Sequence, residues 1–92
     1  MNSMRCRLMQ KINIIIPCYN EENRIDEAKL AVLAMQPEVY VYLANDGSKD
    51  GTLSRITQFS EKHPDNCFVL DYKENQGKAM TIYKSVNHLL QL

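Results

Sequence analysis

The sequence lacks most of what would mark several common classes. Eleven Lys and Arg are set against eleven Asp and Glu, for a formal net charge of zero. It therefore lacks the basic excess with which proteins grip phosphate backbones, and no nucleic-acid partner is expected. No apolar run approaches the roughly 18–20 residues of a membrane span; the longest, around residues 14–16, is strand-sized. Residues 1–11 carry basic side chains but no long apolar stretch and no small-residue cleavage site, so they read as a flexible lead and not a secretory signal. No Gly-x-Gly-x-x-Gly follows a strand, which argues against a dinucleotide binder. The three cysteines, Cys6, Cys18 and Cys67, are odd in number and match no metal spacing. Reduced thiols in a cytoplasmic protein are the simplest account. There is no internal repeat, low-complexity stretch or linker, so 92 residues make one small domain or a piece of a larger one.

What is present is an alternation of strand and helix. Residues 12–16 are a β-branched run of the kind buried on both faces of a sheet, ended by Pro17. Asn20 reads as a helix N-cap with Glu21 and Glu22 in the first turn. Ile25, Ala28, Val32 and Met35 follow as an apolar stripe, closed before Pro37. Residues 39–44 form a second strand. Asp46-Gly47-Ser48 is a turn, and Asp50 is placed to cap a helix that starts near residue 51 or 52 and buries Leu53, Ile56 and Phe59. A third strand spans residues 67–72. After the turn at Gly77, a third helix runs from about 78 towards 90, with Ala79, Ile82, Tyr83, Val86 and Leu90 sharing a face. Such alternation predicts an α/β fold: a three-layer, Rossmann-like parallel sheet with strand order 3-2-1. Strand one then lies at an edge with nothing beside it, which marks the sheet as incomplete (βαβαβα) and open to pairing.

Loops at the carboxyl ends of such strands gather into the crevice where open α/β sheets bind ligands. Tyr19, in the first loop, offers a ring that can stack on a nucleobase. Asp46, at the end of the neighbouring strand, offers a carboxylate that can accept a hydrogen bond from a base N–H. Either residue alone has a plain reading, as packing against the first helix or as an ordinary Asp-Gly turn. Together on adjacent strands they make a candidate base pocket. Cys18 has no activating neighbour and reads as a small filler. His63 and His88 read as surface residues near helix ends.

Three motifs in order carry a resemblance: Pro17-x-Tyr19-Asn20-Glu21-Glu22, then Asn45-Asp46-Gly47-Ser48-x-Asp50-Gly51-Thr52, then Asn75-Gln76-Gly77-Lys78. The chain resembles the start of the inverting, GT-A-type glycosyltransferases of family 2 over roughly residues 12–90. The Asn-x-Gly-Lys turn is most similar to the branch of dolichol-phosphate mannosyltransferases and polyprenyl-phosphate glycosyltransferases. The resemblance implies that residues 12–92 are a truncated GT-A nucleotide-binding domain, the N-terminal half of an enzyme that moves a sugar from a UDP- or GDP-sugar to a lipid-phosphate or glycan acceptor. It implies nucleotide-binding roles for Pro17, Tyr19, Glu21, Asp46 and Lys78. In that family the first position of the second motif is often acidic; here it is Asn45. Family members hold Mg²⁺ or Mn²⁺ through an Asp-x-Asp motif that this sequence does not contain. The metal ligands, the general base and the acceptor half are thus expected to lie outside it, with any membrane association due to those parts. No catalytic residue is assigned, and no transferase activity is expected of these residues alone. Two rival readings differ in class. One is a non-catalytic module that self-associates or binds protein, as a homodimer through the strand-one edge. The other is a receiver-like domain in which Glu21, Glu22 and Asp46 form an acidic cluster.

Overall fold

The computed structural model describes residues 11–91; the lead and Cys6 lie outside the described residues, apart from Lys11. The elements follow in order: β1 (Ile12–Cys18), α1 (Glu27–Ala34), β2 (Val39–Asp46), α2 (Thr52–Lys62), β3 (Cys67–Tyr72) and α3 (Lys78–Leu90). The three strands pair in parallel in the order β1-β2-β3. This is the anticipated Rossmann-like α/β sheet, with β1 at an edge.

Register decides what each face of the sheet carries. Ile14 pairs with Val41, Ile16 with Leu43 and Cys18 with Asn45; Val41 pairs with Cys67 and Leu43 with Val69. Side chains alternate along a strand, so these residues share one face. That face makes the core with Ala34 of α1 and with Ile56 and Phe59 of α2. The opposite face is aromatic. Tyr42 stacks on Phe68 with ring centres 5.2 Å apart. Tyr72, on the same side of β3, meets Ser85 of α3 at 3.0 Å between oxygens. Hence α1 and α2 cover one face and α3 covers the other, lying against β1 and β2.

Three expectations about elements need correction. First, Pro17 does not end β1; the strand continues through Pro17, paired with Ala44, to Cys18. The amide of Ile12 donates to Glu38 on the β2 side at 2.8 Å, and amide direction alternates along a strand. Asn13, Ile15 and Pro17 therefore turn their amide positions to the open edge, where a residue without an N–H costs nothing. Second, Asn20 does not cap a helix. It is a left-handed residue with φ 49°, a conformation Asn tolerates. The helix begins at Glu27, capped by Asp26, whose carboxylate accepts from the Lys29 amide at 3.1 Å. The buried side of α1 is accordingly shifted: Ala34 is buried with Leu30, Ala31 and Leu33 packed beside it, and Val32 and Met35 are exposed. Third, α3 has the bounds expected, but most of the apolar face read for it is turned to solvent, with Ile82 half-buried. Thr81 and Ser85 are the buried ones, and Tyr83, Val86 and Leu90 are exposed.

Candidate functional site

Three loops leave the carboxyl ends of the strands, and the motif residues bind them to one another. Between the first and second loops, the Asn20 amide donates to Ser48 Oγ at 3.0 Å and the Lys49 amide donates to Asn20 Oδ1 at 2.9 Å. The Glu21 amide donates to Thr52 Oγ1 at 2.7 Å, and the Gly51 amide donates to Glu22 Oε1 at 2.9 Å. A Cβ on Gly51 would meet the Glu22 carboxylate at 2.5 Å. Arg55 of α2 bonds the Glu22 carbonyl and pairs with Glu27 at 2.7 Å. Asp50 accepts from the Thr52 amide at 2.9 Å, so it ties down the first turn of α2 from one residue before the cap position, which Gly51 occupies.

The second and third loops are joined through Asp46. This residue is 2% exposed. Its Oδ1 accepts from the Gln76 amide at 2.8 Å, and its Oδ2 accepts from the Gly77 amide and the Asn75 side-chain amide, both at 3.0 Å. A carboxylate has about four lone-pair sites. Three are filled by the chain, and one on Oδ1 is left for another donor. Gly47 allows this closeness. Its φ is 66°, and a Cβ there would lie 2.2 Å from the Asn75 nitrogen. This glycine is thus a contact point for the third loop as well as a turn residue. Beside it, Asn45 donates to Asp71 Oδ1 at 2.9 Å. An acid in place of Asn45 would set two carboxylates together; the amide complements Asp71.

Pro17, Tyr19, Glu21, Asp46, Asn75, Gly77 and Lys78 line one cleft of about 310 Å³. All five residues singled out in the sequence face this space. Asn75 and Gly77 are the additions: their motif was visible, but only the fold shows that the third loop forms a wall. The cleft lies on the α3 side of the sheet, because Pro17 and Asp46 share the face of Ala44 and Tyr42. It opens where α3 crosses one face towards β1 and α1 covers the other, the position at which open α/β sheets bind ligands. Tyr19 is 43% exposed. Gly77, with φ 91°, leads into α3 without a side-chain cap, and Lys78 is the first helical residue. The free amides of that helix start and the ammonium together favour an anion. On the other face, Pro17 and Glu21 also border an apolar hollow of about 240 Å³ above Ile16, Cys18 and Ile56.

The electrostatics fit a scaffold more than a reactive centre. Bonds from the Thr52 hydroxyl hold the Asp50 carboxyl below its ordinary value, and Lys73, then Asn45, do the same for Asp71. Burial, with the nearby Glu21 charge, pushes the Cys18 thiol up to about 11. Cys18 is 5% exposed and stays protonated, as a filler would. Of the acids of the receiver-like reading, Glu21 and Asp46 both border the cleft, but Glu22 turns to Gly51 and the Asp46 carboxylate is held by the third loop. Among the described residues no three His, Cys, Asp or Glu come together in a way that could hold a metal ion.

The profile of "Glycosyl transferase family 2" matches residues 13–89. The chain belongs to glycosyl transferase family 2. It is 33% identical over 79 residues to a poly-beta-1,6-N-acetyl-D-glucosamine synthase of Staphylococcus epidermidis, an alignment covering 85% of this chain and 19% of that enzyme. It is 35% identical over 83 residues to an uncharacterised protein of Methanocaldococcus jannaschii, covering 85% of this chain and 33% of the relative. Among solved structures it resembles a mannosyltransferase of Pyrobaculum calidifontis in complex with GDP-Man and Mn²⁺, with a TM-score of 0.71 and 27% identity over 85% of this chain and 24% of that one. This family 2 chain thus spans about a fifth of the length of the synthases it matches. No helix among the described residues is long and apolar enough to cross a membrane.

Proposed function

We propose that this family 2 domain binds the nucleotide of a UDP- or GDP-sugar, as the N-terminal part of an enzyme that transfers the sugar to a lipid-phosphate or glycan acceptor. The observation that carries the reading is the convergence of Pro17, Tyr19, Glu21, Asp46 and Lys78 on one cleft. In it, the base stacks on the exposed ring of Tyr19 and donates to the remaining lone pair of Asp46. Pro17 and Glu21 run beside the nucleoside, and the phosphates lie toward Lys78 and the start of α3, where dipole and ammonium add. The Asn75-x-Gly77-Lys78 turn supports a place near the dolichol-phosphate and polyprenyl-phosphate branch, and the GDP-Man complex of the mannosyltransferase supports a nucleotide-sugar donor. Mg²⁺ or Mn²⁺ supplies charge neutralisation of a leaving diphosphate, and its ligands come from residues beyond this cleft. The odd number of cysteines and the free thiols of Cys18 and Cys67 support a cytoplasmic setting.

The reading is tested by isothermal titration of the chain with UDP and GDP, each with and without Mg²⁺ or Mn²⁺. One nucleotide is expected to bind weakly, in the range of roughly 0.1–1 mM set by a site without its own metal. Tyr19→Ala and Lys78→Ala are each expected to weaken it about tenfold, on the order of 1.4 kcal/mol. Absence of binding for both nucleotides, or binding indifferent to both substitutions, contradicts the proposal.

A further inference from the structure

Most of the bonding capacity of Asp46 is taken up inside the chain, and this limits what a base can do there. The side chain borders the cleft yet is 2% exposed, so a ligand can reach little more than one of its oxygens. Oδ2 is saturated: the Gly77 amide and the Asn75 side-chain amide each donate to it at 3.0 Å. Oδ1 takes only the Gln76 amide, at 2.8 Å, and keeps one lone pair. The carboxylate therefore presents a single acceptor site, and the group beside it is a pair of N–H donors where a second acceptor could have been. The Asn75 side chain makes that difference. It belongs to an exposed residue of the third loop and also donates to the Asp46 carbonyl at 3.1 Å, which fixes its amide against Oδ2. Without it, Oδ2 would hold one free lone pair, and the two oxygens together could accept two neighbouring N–H groups.

Uracil and guanine differ in what they offer such a site. The free edge of uracil carries one donor, N3–H, between two carbonyls. That of guanine carries two adjacent donors, N1–H and the 2-amino group, beside one carbonyl. A carboxylate matches the guanine pair only when both of its oxygens are open. We infer that Asn75 is a specificity-determining residue of the cleft: by closing Oδ2 it makes the site select uracil over guanine. The inference rests on the cleft holding a nucleotide, as proposed above, and narrows the donor to a UDP-linked sugar. Uracil gives N3–H to Oδ1 and turns a carbonyl towards the Gly77 and Asn75 amides, whose N–H dipoles suit an acceptor. Guanine gives N1–H alone. Its amino group then either meets those same N–H groups or has no acceptor on Asp46. A donor left without a partner costs about tenfold or more in affinity. Sites that match one hydrogen-bond pattern discriminate by this route, through the groups that a wrong ligand leaves unpaired.

The test is a comparison of dissociation constants for UDP, GDP and IDP on the 92-residue chain, read by saturation-transfer NMR. IDP is the purine control: hypoxanthine has the ring size and N1–H of guanine but no 2-amino group. UDP is expected to bind tightest, IDP next and GDP weakest, with GDP about tenfold weaker than UDP. Asn75→Ala, at an exposed position, is expected to keep the circular dichroism of the parent and to bring GDP within about threefold of UDP. IDP then loses its advantage over GDP. The three nucleotides on the unaltered chain decide the matter even where the variant fails to fold: GDP as tight as UDP, or as tight as IDP, overturns the inference. A folded Asn75→Ala chain that keeps the parent's ratio of GDP to UDP overturns the role given to Asn75. Absence of binding for all three nucleotides overturns the nucleotide reading itself, an outcome distinct from binding without preference.

Discussion

Thr81 and Ser85 are both fully buried beneath α3, yet their hydroxyls are in opposite situations. Ser85 Oγ donates to the Thr81 carbonyl at 2.7 Å and lies 3.0 Å from the Tyr72 hydroxyl. Thr81 Oγ1 has no hydrogen-bond partner. A buried hydroxyl without a partner loses its water and gains nothing. Thr81→Val, which keeps the shape, is therefore expected to raise stability by about 1 kcal/mol. Ser85→Ala breaks a satisfied pair and is expected to lower it by about 1–2 kcal/mol. Urea denaturation of both variants checks the contrast; a Thr81→Val protein less stable than the parent contradicts it. At this scale the sequence is legible for residues whose role is local. It is not for Asp46 and Gly47, whose partners, residues 75–77, come from a loop some thirty positions away. An Asp-Gly pair shows a turn in any sequence; the three donors on its carboxylate exist only once β2 and β3 are paired.

At the scale of elements, strands were the readable part, because a β-branched or aromatic run leaves little choice of face. Helix starts were not. Asn20, Glu21 and Glu22 have the composition of a first helical turn, but Ser48, Asp50, Thr52 and Gly51 take up their amides and side chains. That tertiary claim outweighs the local preference, and the helix starts only at Glu27, with Asp26 as its cap. With only eight residues, Glu27–Ala34, α1 depends on that cap. Asp26→Ala is expected to cost about 1 kcal/mol, visible as a lower melting temperature and faster amide exchange in the first turn of α1. Unchanged exchange there would show that packing alone fixes the helix. The apolar stripe of α3 was visible in the sequence, but its direction was not, since the same spacing serves a helix facing its own sheet or another helix.

Over the whole molecule, the network of loops sets how the fold responds to acid. Asp50, Asp71 and Glu27 all titrate below their ordinary values in the folded chain, held by Thr52, Lys73 and Arg55 respectively. A depressed carboxyl adds stability above its unfolded pKa and loses it as pH falls through the folded one. The urea midpoint is thus expected to hold from pH 7 to about 5 and to fall below roughly pH 4; a midpoint that rises on acidification contradicts this. The same network keeps the three loops in one arrangement, so the cleft exists before a ligand arrives. That preformed cleft is the central claim. Its most direct test is an amide NMR titration of the ¹⁵N-labelled chain with GDP and UDP. Saturating shifts confined to the amides of Tyr19, Glu21, Asp46, Gly77 and Lys78 are the expected result. Shifts absent from those positions at millimolar nucleotide, or spread evenly over the surface, would contradict it.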